Sequence, residues 1–261
     1  MNLLSPLRRL KAILLEVLNG KHPDEPHLIY DLYANRPSGV MIDVGTHIGT
    51  SLQPFAQKGW QIFGFEPDPN NRQKVLDNTS GFNNVNIFDL AVSDQGGKQL
   101  EFFTSNVSTG ISSLAKFHDS HQPTTVVTTT TLKDVVAEHQ IRTIDFLKID
   151  TEGFDLFVLK GFDWNKNSHP KAIVCEFENR KTVPLGYTVD DMFTFLTDKG
   201  YQIVISEWYP IVEYGRQHRW KRFISSPQQI TNPLAWGNFL AVKPANYPAL
   251  VQVCKKIGRV T

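Results

Sequence analysis

The sequence predicts an α/β protein built on a doubly wound, mostly parallel sheet. Three observations predict it. Short apolar and β-branched runs alternate with helix-compatible segments along most of the 261 residues. Gly59, Gly161 and Gly200 stand where those helical segments stop. Acidic residues recur at or near the carboxyl ends of the strand-like runs, at Asp43, Glu66, Asp89, Asp150 and Glu176, the edge beyond which such sheets bind ligands.

Residues 1–20 carry Leu3, Leu4, Leu7, Leu10, Ile13, Leu14 and Leu18 at helical spacing, with Arg8, Arg9 and Lys11 interleaved. This predicts an amphipathic helix, either packed on the domain or in peripheral contact with a membrane surface. Its charges and the lack of a small-residue cleavage site speak against a secretory signal. Residues 1–38 are read as an N-terminal helical extension, and 39–261 as a single domain. Val40 to Val44 reads as the first strand, Ile48 to Lys58 as a helix, and Gln61 to Phe65 as the second strand. Asp68 supplies an N-cap with Pro69 at the first helical position, for a helix through about Asn78. Val85 to Ala91 is the third strand. Gln99 to Thr104 and Thr125 to Thr131 read as a hairpin whose polar tip, residues 105–124, is long and mobile, a lid-like insertion. A short helix from Leu132, a buried strand from Ile144 to Ile149 and a helix from Gly153 to Lys160 follow. Ala172 to Phe177, Tyr201 to Ser206 and Asn238 to Val242 are the remaining strands, with a helix over Val189 to Lys199. Between the last two strands lies an insertion, residues 207–237, rich in aromatics.

The most informative stretch is residues 41–50, where an apolar run carrying Asp43 turns through Gly45 and Gly49 into helix-compatible sequence. Glycines in such a turn let a ligand approach the backbone closely. Glu66, at the tip of the next strand, is placed to accept both hydroxyls of an adenosine ribose. The turn holds Thr46, His47 and Ile48 where a third glycine would clear a path for a pyrophosphate. A nucleoside without phosphates fits better than a nicotinamide dinucleotide, and S-adenosylmethionine is such a ligand.

Composition narrows the rest. The net charge of +1, with 41% hydrophobic residues, lacks the basic bias of a dedicated nucleic-acid binder and the polarity of a disordered chain. No nucleic-acid partner is expected. Cys175 and Cys254 are the only cysteines, too few for a disulfide framework, and a reducing cytoplasmic location is the expectation.

Five separated motifs then agree: Ile-Asp-Val-Gly-Thr-His-Ile-Gly at 42–49, Phe-Glu-Pro-Asp-Pro at 65–69, Ala-Val-Ser-Asp at 91–94, Gly-Ile-Ser-Ser-Leu at 110–114 and Leu-Lys-Ile-Asp-Thr-Glu-Gly at 147–153. From Val40 to Glu178 the chain resembles the FkbM family of S-adenosylmethionine-dependent methyltransferases. The resemblance implies a class I, Rossmann-like methyltransferase fold and O-methylation, often of sugars or polyketide-type products. It also implies that Asp43, Gly45 and Gly49 line the methionine side of the cofactor, Glu66 the ribose, and Asp89 and Ala91 the adenine. His47 stands where the family more often shows Asn, Lys133 replaces an acid and Asp155 replaces a common Glu.

Methyl transfer from a sulfonium needs an aligned acceptor, exclusion of water and a destination for the hydroxyl proton. Asp150 and Glu152, at the end of the central strand, are the leading catalytic candidates. They act as general base or, with Glu176 or Glu178, bind a divalent cation or the acceptor. Their alternative is to cap the helix that follows. Lys148 shares a strand face with Asp150 and either pairs with a carboxylate or takes part in catalysis. His47 either faces the methionine carboxylate or the acceptor, or hydrogen-bonds backbone within its turn. Ser112, Ser113, His118 and His121 sit on the expected lid. In the insertion, Arg216, His218, Arg219, Lys221 and Arg222 lie among aromatics that include Trp220. They suit a stacked sugar with a phosphate held by arginines, or a solvated or subunit-contact surface. The expected acceptor is a small molecule or glycan, with nucleotide-linked and lipid-linked sugars both open.

Overall fold

The computed structural model describes residues 22–166 and 169–261. The expected helix at residues 1–20 lies outside them. The first described helix, α1 (Glu25–Leu32), is capped by Asp24, whose carboxylate accepts the His27 N–H at 3.1 Å.

A single eight-stranded sheet forms the frame. Its strands are β1 (Val40–Val44), β2 (Gln61–Phe65), β3 (Val85–Phe88), β7 (Phe146–Ile149), β8 (Ala172–Glu178), β9 (Gln202–Trp208), β10 (Trp220–Ile224) and β11 (Trp236–Val242). Their order is β10-β9-β11-β8-β7-β1-β2-β3. From β8 through β3 every pairing is parallel, whereas β11 runs antiparallel to both β8 and β9. The order reverses at β1, which lies between β2 and β7, so a crevice opens beyond the carboxyl ends there. The expected doubly wound, mostly parallel sheet is the one observed.

Each face of the sheet is covered. Helices α4 (Leu132–Glu138), α5 (Asp155–Lys160) and α7 (Val189–Asp198) bury Val135, Leu159 and Met192 against Ile42, Leu147 and Phe239 on one side. On the other, α1, α2 (Gln53–Gln57) and α8 (Tyr247–Lys255) bury Ile29, Phe55 and Leu250 against Met41, Phe146 and Leu240. This alternation along each strand follows from the period of two. Helix α3 (Pro69–Thr79) begins as expected, Asp68 accepting the N–H groups of Asn70 and Asn71 at 2.8 and 3.2 Å.

Three elements differ from expectation, each for a local reason. Residues 48–52 form turns, and α2 starts only at Gln53, because Pro54 has no N–H and clashes with a preceding helical turn. The third strand ends at Phe88, and β4 (Ala91–Val92) leaves to pair with β6 (His121–Thr130) in a separate sheet completed by β5 (Gln99–Ser105). Helix α5 begins at Asp155 because Glu152 and Gly153 have φ of 56° and 105°, outside the helical region. Neither Asp150 nor Glu152 caps it. Asp155 does the local work instead, accepting from Thr151 Oγ1 at 2.7 Å and the Glu176 N–H at 2.9 Å.

Part of the 207–237 insertion joins the sheet. β10 runs antiparallel to β9 and adds an edge strand. Trp220 lies on that strand with its indole N–H on Ser206 Oγ at 3.1 Å and its ring packed on Phe223 and over Gly258. It belongs to the core beneath the sheet, not to an acceptor surface, which corrects the expectation for Trp220.

Candidate functional site

Two adjoining cavities open at the carboxyl edge of β1, β2, β7 and β8. The first, with about 580 Å³ of empty space, is bounded by Val44 and Gly45 after β1, Glu66 after β2, Leu90 to Val92, and Asp150 and Thr151 after β7. Gly45 is required there. It has φ of 79°, and a Cβ on it would stand 1.9 Å from the Asp150 carbonyl oxygen. Gly49 serves packing, since a Cβ there would press into Val75 of α3 at 2.6 Å. It does not line the cavity, contrary to the expectation for Gly49.

Glu66 is 5% exposed. Its two carboxylate oxygens accept the N–H groups of His47 at 2.7 Å and Asp68 at 3.0 Å. Burial pushes its carboxyl up to about 7, although those two N–H groups pull the other way. Each oxygen keeps a further lone-pair site for a ligand hydroxyl. The opposite wall is apolar, made by Leu90, Ala91, Val92 and Phe102. Asp89 is exposed and outside this wall, because the strand breaks immediately before it. Of the two residues expected at the adenine, Ala91 lines the cavity, with Leu90 and Val92 beside it.

Asp43 sits below the cavity floor, fully buried. It accepts Ser51 Oγ at 2.8 Å and pairs with Lys148 Nζ at 3.1 Å. Lys148 also donates to the Gly45 carbonyl at 2.9 Å and lies 3.5 Å from Asp150. Burial lowers its affinity for the proton, but Asp43 and Asp150 outweigh that and hold the ammonium charged. A lysine with three neighbours and a firmly held proton orients the turn and Asp150. Of the two readings of Lys148, this geometry fits pairing with carboxylates.

The expected lid closes the cavity from above. Residues 109–114 form its roof: His47 Nε2 meets Thr109 Oγ1 at 2.9 Å, and Asn71 Nδ2 donates to the Thr109 carbonyl at 3.0 Å. Ser112 Oγ donates to Asp68 at 3.3 Å and Ser113 Oγ to the Glu152 carbonyl at 3.0 Å. Both serines thus fasten the lid. His47 lines the cavity, and its hydrogen bonds reach Glu66 and Thr109 and not the backbone of its own turn.

The second cavity, about 530 Å³, shares Asp150 and Gly110 with the first. Glu152, Glu176, Lys181, Tyr214, His218 and Trp236 complete its polar and aromatic wall. Lys181, on the short helix α6 (Asn179–Thr182), is buried and ion-paired with Glu152, with Glu176 at 3.0 Å and with Glu178 at 2.9 Å. Burial raises the carboxyls of Glu152 and Glu176, while Lys181 pulls both back. Glu152 holds this place with a left-handed backbone, a strain that persists only where the surroundings enforce it.

Ligand atoms of Asp150, Glu152 and Glu176 lie within 4.8 Å of one another. The Lys181 ammonium already bonds two of the three, so as folded the trio carries its own cation and does not fit a metal cage. Lys181 and Trp236 were missed by sequence reasoning. The only signal for the lysine is its spacing of three from Glu178 in a run that reads as a solvated helix. His218 was seen only as one member of a charge cluster. Burial lowers its proton affinity, and its ring stands edge-on to Trp236 at 5.2 Å.

The arginines do not join this cavity. Arg216 is exposed and pairs with Glu213 at 2.6 Å, and Arg219 lies over the Tyr209 ring at 4.0 Å, both on an outer depression. His118 bonds Ser120 and faces another surface hollow beside Arg180. The expected phosphate-holding role for Arg216 and Arg219, and the substrate role for His118, find no support in these positions.

The family model for the methyltransferase FkbM domain matches residues 43–203, more than half of the chain. The chain belongs to the FkbM methyltransferase family. The first cavity, with its glycine turn, buried Glu66 carboxylate and apolar wall, suits S-adenosylmethionine. A stretch of 142 residues is 25% identical to the 2-O-methyltransferase NoeI of Sinorhizobium fredii (strain NBRC 101917 / NGR234), covering 48% of this chain and 58% of NoeI. Another of 141 residues is 31% identical to human apolipoprotein B-100, covering 52% of this chain and 3% of that protein. The chain thus spans less than two thirds of either relative. Among solved structures, precorrin-6y C5,15-methyltransferase of Geobacter metallireducens GS-15 aligns over 84% of this chain and 87% of its own at 13% identity, with a TM-score of 0.43.

Proposed function

We propose that this methyltransferase O-methylates a hydroxyl of a sugar or glycan bound in the second cavity. The observation that carries the reading is Asp150, whose side chain stands in the wall common to both cavities. The name of the related NoeI, a 2-O-methyltransferase, is in keeping with it. When bound, S-adenosylmethionine supplies an activated methyl group. Asp150, oriented by Lys148, takes the acceptor proton as the new O–C bond forms and the S–C bond breaks, then releases it to water. Glu152, braced by Lys181, orients the acceptor, and the fastened lid excludes water.

Labelled-donor turnover on a panel of free, lipid-linked and nucleotide-linked sugars, with and without a chelator, tests this. Expected are S-adenosylhomocysteine binding, its loss in Asp43→Ala or Glu66→Ala, and chelator-insensitive methyl transfer. Asp150→Asn should lower turnover by about 10²–10⁴-fold, the range for removing a general base. Normal cofactor binding with no transfer to any sugar would overturn the acceptor assignment. No described helix is long and apolar enough to cross a membrane, and peripheral contact and a cytoplasmic location remain proposals read by fractionation of tagged protein.

A further inference from the structure

The second cavity is unbalanced in its hydrogen-bonding groups, and the imbalance selects among acceptors. An ammonium has three N–H donors. Those of Lys181 face three carboxylates, Glu152, Glu176 and Glu178. The Tyr214 hydroxyl is engaged too, accepting from Arg180 at 2.6 Å and lying 3.5 Å from Glu178. Arg180 spends its charge on Glu178 at 2.9 Å. Lys148, the other cation near the wall, is committed to Asp43, Asp150 and the Gly45 carbonyl. Arg216 and Arg219 lie on the outer depression.

On the accepting side there is a surplus. Each ionised carboxyl offers roughly four lone-pair sites, and Asp150, Glu152 and Glu176 all line the cavity. Asp150, with 47% of its side chain exposed, has one ion pair, to Lys148 at 3.5 Å. Among the described residues, a ligand entering here meets the accepting oxygens of Asp150, Glu152 and Glu176, while Lys148, Arg180 and Lys181 are already paired with carboxylates. Trp236 and His218, whose ring stands edge-on to the indole, line the cavity beside them, and an aromatic face is a surface on which a sugar ring stacks.

Resting on the acceptor reading above, we infer that this cavity takes an uncharged polyhydroxyl ring, bound as a hydrogen-bond donor through hydroxyls next to the one methylated. A ring bearing phosphate, sulfate or carboxylate brings only further acceptors and negative charge to a carboxylate wall, and is rejected by unpaired groups and by repulsion. Any phosphate of a nucleotide-linked or lipid-linked acceptor then lies outside this cavity, away from the reacting ring.

The test uses the full chain saturated with S-adenosylhomocysteine. Binding of methyl glucoside, methyl mannoside and methyl fucoside is compared by ligand-observed NMR with that of methyl glucuronide and mannose 6-phosphate. At least one neutral glycoside should bind tenfold or more tightly than either anionic ring. Asp150→Asn replaces an accepting oxygen by an N–H donor and removes a charge, so with S-adenosylhomocysteine saturation re-established for the variant it should narrow that ratio by about tenfold or more, the scale of one well-placed charged hydrogen bond. Equal or tighter binding of an anionic ring by the unaltered protein, or an unchanged ratio in Asp150→Asn, would overturn the inference. Binding of no glycoside of either kind overturns the acceptor reading itself, and failure to bind S-adenosylhomocysteine overturns the donor site instead.

Discussion

Glu66 joins the chemistry of the cofactor to the pH of the solution. Its carboxyl is raised to about 7, chiefly by burial, and in the proposed cofactor site both ribose hydroxyls require it to accept, which only the ionised form does fully. Below pH 7 cofactor binding must therefore expel a proton. Affinity for S-adenosylhomocysteine should be flat above about pH 7.5 and fall toward tenfold per pH unit beneath 7, the limit for one linked proton. Calorimetry across that range in buffers of different ionisation enthalpy reads both the affinity and the released proton. A flat profile down to pH 5.5 would remove Glu66 from the ribose site. The positions of Asp43 and Glu66 at strand tips were legible in the sequence, but Asp43 lies buried beneath the first cavity and does not line it. Asp89 was misread because no pattern at 85–91 announces that the chain leaves the sheet after Phe88. Lys181 was hard to see because Glu152 comes from the end of β7 and Glu176 from within β8, and only Glu178 lies at a local spacing.

Among elements, the lid carries the least predictable geometry. Its sequence, polar and short in apolar residues, reads as a mobile tip, yet β6 begins already at His121, and Phe103 and Ser113 exchange backbone hydrogen bonds at 2.9 Å each way. Ser113 Oγ, 1% exposed as a residue, donates to carbonyls at the end of β7. Ser113→Ala leaves those buried carbonyls without that donor and should cost about 1–3 kcal/mol of lid closure. Hydrogen exchange of residues 105–114 should quicken and S-adenosylhomocysteine should dissociate faster, while the amides of β1 and β7 keep their protection. Equal quickening across the central strands would show that the serine supports the whole fold and not the lid alone. The turn between β1 and α2 behaves oppositely, for its glycines announced it. Gly45 is fixed by the carbonyl of Asp150, a contact between two strand ends that any added side chain would destroy.

The molecule as a whole is held by two cores on opposite faces of one sheet, and both were foreshadowed by apolar runs that have no polar face. Phe146 of the central strand is fully buried against Phe55, with ring centroids 5.2 Å apart. Phe146→Ala should cost about 3–5 kcal/mol, the usual loss for a truncated core phenylalanine, read as a lowered midpoint in urea unfolding. A loss below 1 kcal/mol would mean that the face beneath the site tolerates repacking. The sequence by itself determined the doubly wound sheet, the strand that carries Asp150 and the glycine turn with its ribose acid. These depend on short-range periodicity, caps and turns, whose physics acts within a few residues. Only the tertiary structure decided that β11 runs antiparallel between β8 and β9, that the insertion's arginines stay outside, and that Lys181 binds the carboxylates of the acceptor wall. Those outcomes depend on which distant segments share a boundary and on how buried charges find partners, and that is settled by packing in three dimensions.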